Sequence, residues 1–131
     1  MRLKNKPAYF FILICFIIFL FCNNIFAGQS NMYYRGNING WSADSMIKTG
    51  GIWKKTLQAA VSEASIFKIA NTNNWTGIDW STGGVLSFNV AATFFQPNGG
   101  NTTINTVATR YYTFSIADND GGNVSGAVLE T

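Results

Sequence analysis

The chain has 131 residues, a formal net charge of +3 and 11% charged residues, and it contains no histidine. This length is enough for one domain with its own core, and the 15% of aromatic residues argues against a disordered chain. Without histidine, the chain lacks the most common general base, the Ser-His-Asp triad and nearly all zinc chemistry.

Residues 1–27 have the composition of a cleavable signal peptide. A basic start precedes an apolar run over residues 8–22, and Ala27 is a small residue at the expected cleavage site. The run is about 15 residues long and so falls short of the roughly 20 that a membrane-spanning helix needs, which disfavours a retained anchor. Lipid attachment at Cys22 is a further alternative. We expect an exported protein, secreted or periplasmic, with a mature chain of residues 28–131.

The mature chain differs from the precursor in charge and in cysteine content. Six basic and six acidic residues remain in it, so it is neutral and has no electrostatic reason to bind nucleic acid or an anionic membrane. Both cysteines, Cys15 and Cys22, lie in the predicted signal peptide. We therefore expect no disulfide, no thiolate metal site and no cofactor.

Seven short runs between Gly- and Asn-rich segments have strand chemistry. The run at 110–117 is the clearest, because Tyr112, Phe114 and Ile116 alternate with more polar positions. Strands of this length at this spacing predict an all-β, immunoglobulin-like sandwich of about seven strands in one domain. The predicted strands are residues 32–35, 51–57, 65–70, 85–90, 102–107, 110–117 and 124–129.

The segment 118–122, which reads Asp-Asn-Asp-Gly-Gly, joins the last two predicted strands. Its residues tolerate a positive φ, so a hairpin turn is the main prediction. A calcium loop is the alternative, but the distal bidentate carboxylate is missing.

The carboxylates offer no catalytic arrangement in the sequence. A glycosidase needs two of them flanking a cleft, and no spacing in this chain pairs two. We expect a protein that is not an enzyme. The candidates are Asp44, Glu63, Asp79, Asp118, Asp120 and Glu130.

The region most informative about function begins with an aromatic strand and a tight Asn-Gly turn. Trp41 directly follows that turn, Lys68 lies on a later strand, and Trp75 lies in an Asn-rich loop. A tryptophan after a turn can cap the core or present its face to solvent, and both interpretations stay open for Trp41 and Trp80. Trp53, in an alternating strand, is expected in the core.

This order of motifs resembles that of the starch- and glycogen-binding immunoglobulin-like modules, as in the AMP-activated kinase β subunit and in modules of bacterial amylases and pullulanases. The matching segments are Arg35-Gly36-Asn37-Ile38-Asn39-Gly40-Trp41, Gly51-Ile52-Trp53, Phe67-Lys68-Ile69 and Asn73-Asn74-Trp75. The chain departs from the pattern at Ile38, where the family has Phe or Met, and at Trp80, a second tryptophan after the last motif.

The resemblance implies a module that binds polysaccharide, α-glucan above all, without cleaving it. It implies that Trp41, Lys68 and Trp75 contact the sugar, since pyranose rings stack on indoles and their hydroxyls bond to polar side chains. We add Trp80, Asn74 and Asn101 as further candidates.

Two other functions are compatible with the sequence. The low charge favours a structural or adhesive protein that uses the sandwich for protein contacts or self-assembly. A secreted inhibitor or effector is a third possibility. Exposed tryptophan faces near Lys68 would favour sugar binding, whereas buried tryptophans with an exposed apolar edge strand would favour assembly.

Overall fold

The computed structural model describes residues 28–96, 100–118 and 122–131. This part of the chain forms ten β-strands and one 3-10 turn, and it contains no helix long and apolar enough to cross a membrane. The strands form two antiparallel sheets around a shared core, so the predicted all-β sandwich is confirmed. The predicted signal peptide lies outside the described residues, and export therefore stays a prediction.

The first sheet is built around one long central strand. Phe67 on that strand pairs with Gly36 on one side and with Thr102 on the other. Ile69 likewise pairs with Tyr34 on one side and with Trp80 on the other. The strands that contain Trp80 and Thr102 therefore follow one another along the same edge of the central strand. The strands are β1 (Tyr33–Gly36), β2 (Asp44–Ser45), the central β5 (Glu63–Ala70), β6 (Asp79–Trp80) and β8 (Thr102–Thr106).

The second sheet has five strands in the order β3-β4-β9-β10-β7. The pairing of β4 with β9 is the longest among the described residues, and it extends along the whole length of β9. Ser81, directly after β6 of the first sheet, forms an isolated bridge with Phe95, directly after β7 of the second sheet. This bridge links the two sheets at one side. The strands are β3 (Ile47–Thr49), β4 (Ile52–Gln58), β7 (Ala92–Phe94), β9 (Tyr111–Ala117) and β10 (Val124–Glu130).

Aromatic rings from both sheets meet in the core. Tyr34 and Phe67 of the first sheet lie 4.4 Å and 4.8 Å from Phe114 of the second, measured between ring centroids. All three side chains are fully buried. Burying each such side chain contributes on the order of 2–3 kcal/mol. Because side chains alternate between the two faces of a strand, each sheet presents one apolar face, and these two faces pack together.

The prediction of a strand at residues 85–90 is wrong. Asn89 has a left-handed φ of 61°, and this segment makes one isolated bridge, from Val85 to Thr103. Leu86 donates to Thr103 of the first sheet, whereas Asn89 donates to Val128 of the second. The segment crosses from one sheet to the other, so it cannot extend along a strand of either.

The other six predicted strands are present, with ends shifted by one or two residues. Four further strands, β2, β3, β6 and β7, have two or three residues each and were not predicted. The adjacent Phe94 and Phe95 point in opposite directions, 0% and 50% exposed, as expected for a strand. The segment 118–122, predicted to be a hairpin turn, includes residues 119–121, which lie outside the described part of the chain, so the turn stays a prediction.

Candidate functional site

Trp41 is positioned by the turn that follows β1. Residues Asn37–Asn39 form the 3-10 turn, and the Asn39 side-chain oxygen accepts a hydrogen bond of 3.1 Å from the backbone N–H of Gly36. Gly40 and Trp41 then both adopt left-handed φ angles, 61° and 65°. The Trp41 backbone N–H donates to Gly36, and its indole N–H donates to the Asn37 side chain at 3.1 Å. These bonds fix the half-buried indole beside the outer face of the first sheet.

Trp75 lies in the loop between β5 and β6, which is closed at its base by two hydrogen bonds. Asn71 donates its backbone N–H to Ile78 at 3.0 Å, and Ile78 donates back to the Asn71 side chain at 2.7 Å. Near the tip, the Asn74 side-chain oxygen accepts from the N–H and the hydroxyl of Thr76. Trp75 has a left-handed φ of 64° and is 42% exposed.

Arg35 of β1 supports the Trp75 ring from below. Its guanidinium carbon lies 4.3 Å from the centre of that ring, a distance typical of cation–π stacking. The same guanidinium donates to the backbone carbonyl of Asn73, in the same loop. Arg35 is 7% exposed, and its Nε has no hydrogen-bond partner. One side chain of the sheet therefore holds the loop at two points.

Trp41 and Trp75 lie next to each other although they are 34 positions apart in sequence. Their ring centroids are 6.1 Å apart and their planes are inclined by 42°. Both have left-handed backbone angles, which are rare for bulky residues and cost about 1–3 kcal/mol each. Strain of this kind persists where surrounding contacts impose it, and here it places two indoles side by side at the surface. We call this the tryptophan pair.

Lys68 and Asp79 lie on the same face of the sheet as the tryptophan pair. Lys68 is directly opposite Arg35 in the register of β1 and β5, so both side chains point outward. The Lys68 Nζ lies 3.6 Å from a carboxylate oxygen of Asp79, with 19% and 28% of the two side chains exposed. Lys68 faces outward as predicted, and Asp79 is a charged neighbour that sequence reasoning had considered only for catalysis.

The structure brings together only some of the residues predicted from sequence. Trp41, Trp75 and Lys68 share one face, and Asn74 is exposed in the Trp75 loop. Asn101 is half-buried and directly precedes β8, which lies on the other edge of β5 from β1.

Trp80 was a candidate sugar contact, and the structure contradicts that prediction. The side chain is 0% exposed and belongs to the hydrophobic core. Its indole N–H donates to the carbonyl of Gly122 at 2.9 Å. It lies one position from the outward Asp79, and alternation along β6 turns it inward. Trp53 is buried as expected.

Sequence reasoning gave no binding role to Arg35. A signal was present, since the basic residue lies within an otherwise aromatic strand directly before the turn that carries Trp41. Its partner, however, is Trp75, which lies 40 positions away and cannot be identified without the fold.

A second polar cluster lies at the start of the β9–β10 connection. Asp118 accepts from the Trp53 indole N–H at 2.8 Å and from the backbone N–H of Gln29 at 3.0 Å, and it forms an ion pair with Lys48. Burial alone would raise the pKa of Asp118, but these donors together hold it below its ordinary value. The carboxylate is thus engaged by the protein itself. The described residues contain no group of three side chains able to hold a metal ion.

No protein-family model, curated protein or solved structure matches this chain. The resemblance to glucan-binding modules stays a prediction that rests on the four motifs.

Proposed function

We propose that this protein binds polysaccharide on the tryptophan pair without cleaving it, and that the ligand is an α-glucan. The observation that carries the proposal is the pair itself: two indoles at the surface, 6.1 Å apart, held in strained backbone conformations by Asn37 and Arg35. Contacts between apolar C–H groups of sugar rings and indole faces supply affinity at low entropic cost. Burying each such contact contributes on the order of 1–3 kcal/mol.

The inclination of the rings favours an α-glucan. Successive sugar rings of an α-linked glucan turn relative to one another, whereas a β-1,4-linked chain is an extended ribbon with nearly parallel ring faces. Two platforms inclined by 42° match the first geometry better than the second. An open site of this size is expected to bind with a dissociation constant of roughly micromolar to millimolar.

The ion pairs support a binding role over a catalytic one. Four carboxylates each lie within 4 Å of a basic side chain: Asp44 with Lys55, Asp79 with Lys68, Asp118 with Lys48, and Glu130 with Arg110. Glycoside hydrolysis needs a protonated acid and a second carboxylate placed across the scissile bond. In each of these pairs the neighbour of the carboxylate is a basic side chain and not a second carboxylate.

The proposal is tested by co-sedimentation with insoluble polysaccharide. We expect the protein to sediment with starch granules and not with cellulose, and we expect Trp75→Ala to lose sedimentation with starch. Tyr111→Ala is the matched control, because Tyr111 is also about half exposed but lies on β9 of the second sheet. Equal retention of the wild-type protein and of Trp75→Ala would reject the site.

Self-assembly is the second candidate, and the outer face of the second sheet favours it. That face carries Thr, Ser and Ala side chains with exposed Ile52, Tyr111 and Leu129 at 40–48% exposure. Tyr111 and Leu129 lie near one end of this face and Ile52 lies at the other end. Exposed apolar side chains are a feature of protein contact surfaces. A mass measured by light scattering that rises with concentration, and that Leu129→Lys returns to the monomer value, would favour this function.

A further inference from the structure

The first described residue, Gly28, lies against the carboxylate of Asp118. A Cβ at Gly28 would lie 2.6 Å from Oδ1 of Asp118 and still closer to Oδ2, so any other residue at this position would displace the carboxylate. A backbone nitrogen is about 2.5 Å from the Cβ position of its own residue, so the Gly28 nitrogen lies within about 5 Å of Oδ1. A positive charge on that nitrogen would therefore lie close to a negative one.

The residues that follow hold the chain in this position. The backbone N–H of Gln29 donates to Oδ1 of Asp118 at 3.0 Å, and the Gln29 side-chain oxygen accepts from Asn71 at 3.0 Å. Met32, shortly after it, is buried in the core at 1% exposure. All of these contacts lie within residues 28–131, so they are kept when the predicted signal peptide is removed.

Asp118 is itself fixed on the other side of the contact. Its backbone N–H donates to Gly51 at 2.8 Å, and its carboxylate accepts from the indole N–H of the buried Trp53 at 2.8 Å. The Asp118 side chain is 14% exposed. A partly desolvated carboxylate attracts a nearby positive charge more strongly than an exposed one does, since the local dielectric constant is lower.

The predicted cleavage after Ala27 changes the charge at this contact. Before cleavage the Gly28 nitrogen belongs to a neutral peptide bond. After cleavage it is an α-amino group, whose ordinary pKa of about 7.7–8.0 leaves it mostly protonated at neutral pH. Lys48 is a competing cation on the same carboxylate, but its side chain is 39% exposed, so solvent screens its repulsion of the new ammonium group.

We infer that Gly28 is the first residue of the processed protein and that its α-amino group pairs with Asp118, so that removal of residues 1–27 makes the folded domain more stable. The inference rests on the predicted cleavage and is independent of the proposed function. The pair joins the chain ahead of β1, in the first sheet, to the residue that directly follows β9, in the second.

The test uses the exported protein made from the full precursor. Its mass should identify Gly28 as the first residue. Transamination then converts the α-amino group to an uncharged carbonyl group and leaves lysine side chains unchanged, and urea unfolding is compared before and after this reaction. We expect transamination to raise the unfolding equilibrium constant of the wild-type protein about two- to fivefold at neutral pH, as for a partly exposed ion pair.

Four variants show whether Asp118 is the partner. Asp118→Asn should remove the effect of transamination, and Lys48→Gln should enlarge it, because the competing cation is gone. Gly28→Ala should also remove it, since the added methyl group separates the chain from the carboxylate. Asp44→Asn is the matched control: Asp44 likewise pairs with a lysine, 3.4 Å from Lys55, and this variant should respond to transamination as the wild type does.

The inference is overturned if the precursor is not cleaved or if the processed chain begins at another residue. It is also overturned if transamination leaves the wild-type unfolding equilibrium unchanged, or raises it equally in the wild-type protein and in Asp118→Asn. Should Asp118→Asn fail to fold, an equal rise in the wild-type protein and in Gly28→Ala is the contradicting result.

Discussion

Replacement of Arg35 by Met should weaken ligand binding far more than its position beneath the surface suggests. The guanidinium holds the Trp75 loop by a hydrogen bond to Asn73 and by stacking on the indole. A hydrogen bond from a charged group contributes about 1.5–3 kcal/mol, and a desolvated cation–π contact about 0.5–2 kcal/mol. Methionine keeps an apolar side chain of similar length beneath the ring but makes neither contact.

Part of this loss is offset. The Nε of Arg35 is buried without a partner, and removing it relieves a cost of about 1–3 kcal/mol. The net loss is then about 2 kcal/mol. The strained Trp75 conformation depends on these contacts, so the binding-competent conformation of the loop should be destabilised by a comparable free energy. The dissociation constant should then rise about 10–30-fold.

The assay is calorimetric titration with glycogen, together with urea unfolding to verify that each variant is folded. Arg110→Met is the control, since Arg110 forms an exposed ion pair with Glu130 at 3.3 Å and should bind as the wild type does. The affinity of Arg35→Lys should lie between those of the wild-type protein and Arg35→Met, because an ammonium group cannot stack on the indole as a planar guanidinium does while also donating a hydrogen bond to Asn73. A folded Arg35→Met whose affinity stays within about twofold of the wild type would refute the reasoning.

Three further predictions concern the rest of the fold. Trp80→Phe removes a buried indole and its hydrogen bond to Gly122, so the free energy of unfolding should fall by about 2–4 kcal/mol while sugar binding is retained; a loss of binding in the folded variant would contradict the core assignment. Gly126→Ala would place a methyl group 2.6 Å from Ile116 and 2.8 Å from Phe94, so urea unfolding should show a loss of about 1–3 kcal/mol, whereas Gly84→Ala, with open space around it, should be neutral. The pKa of Asp118 is lowered in the folded state, so the ionised carboxylate stabilises the fold at a pH above its ordinary pKa of 3.8, and this stabilisation is lost as the pH falls through the lower folded pKa. The difference in unfolding free energy between the wild-type protein and Asp118→Asn should therefore shrink in that acid range. A difference that stays constant with pH would contradict this prediction.

The sandwich could be predicted because its long strands carry their own signal. In β9 the buried Tyr112, Phe114 and Ile116 alternate with outward side chains, and this period identifies a strand without knowledge of its partner. The short strands could not be predicted, since β2 and β6 have two residues each and form only because a longer neighbour offers hydrogen bonds. In the segment 85–90, Leu86 and Phe88 are apolar because they pack on the core while the chain crosses between the sheets.

The candidate site could be predicted only in part, because some of its residues are positioned by contacts between segments that are distant in sequence. Trp41 and Trp75 could be selected because each follows a turn, and Lys68 because it alternates with buried neighbours. Trp80 could not be separated from them, since its orientation depends on pairing with Ile69. Arg35 acts through a contact across the sheet to a distant loop, which no local pattern encodes.

The measurement that tests the central claim most directly is a calorimetric titration of the protein with glycogen beside Trp41→Ala and Trp75→Ala. The tryptophan pair predicts saturable binding in the micromolar to millimolar range for the wild-type protein, and a loss of at least about tenfold in each folded variant, because each indole supplies one of the two stacking platforms. Absence of binding by the wild-type protein at millimolar glucose equivalents, or equal binding by all three proteins, would contradict the claim.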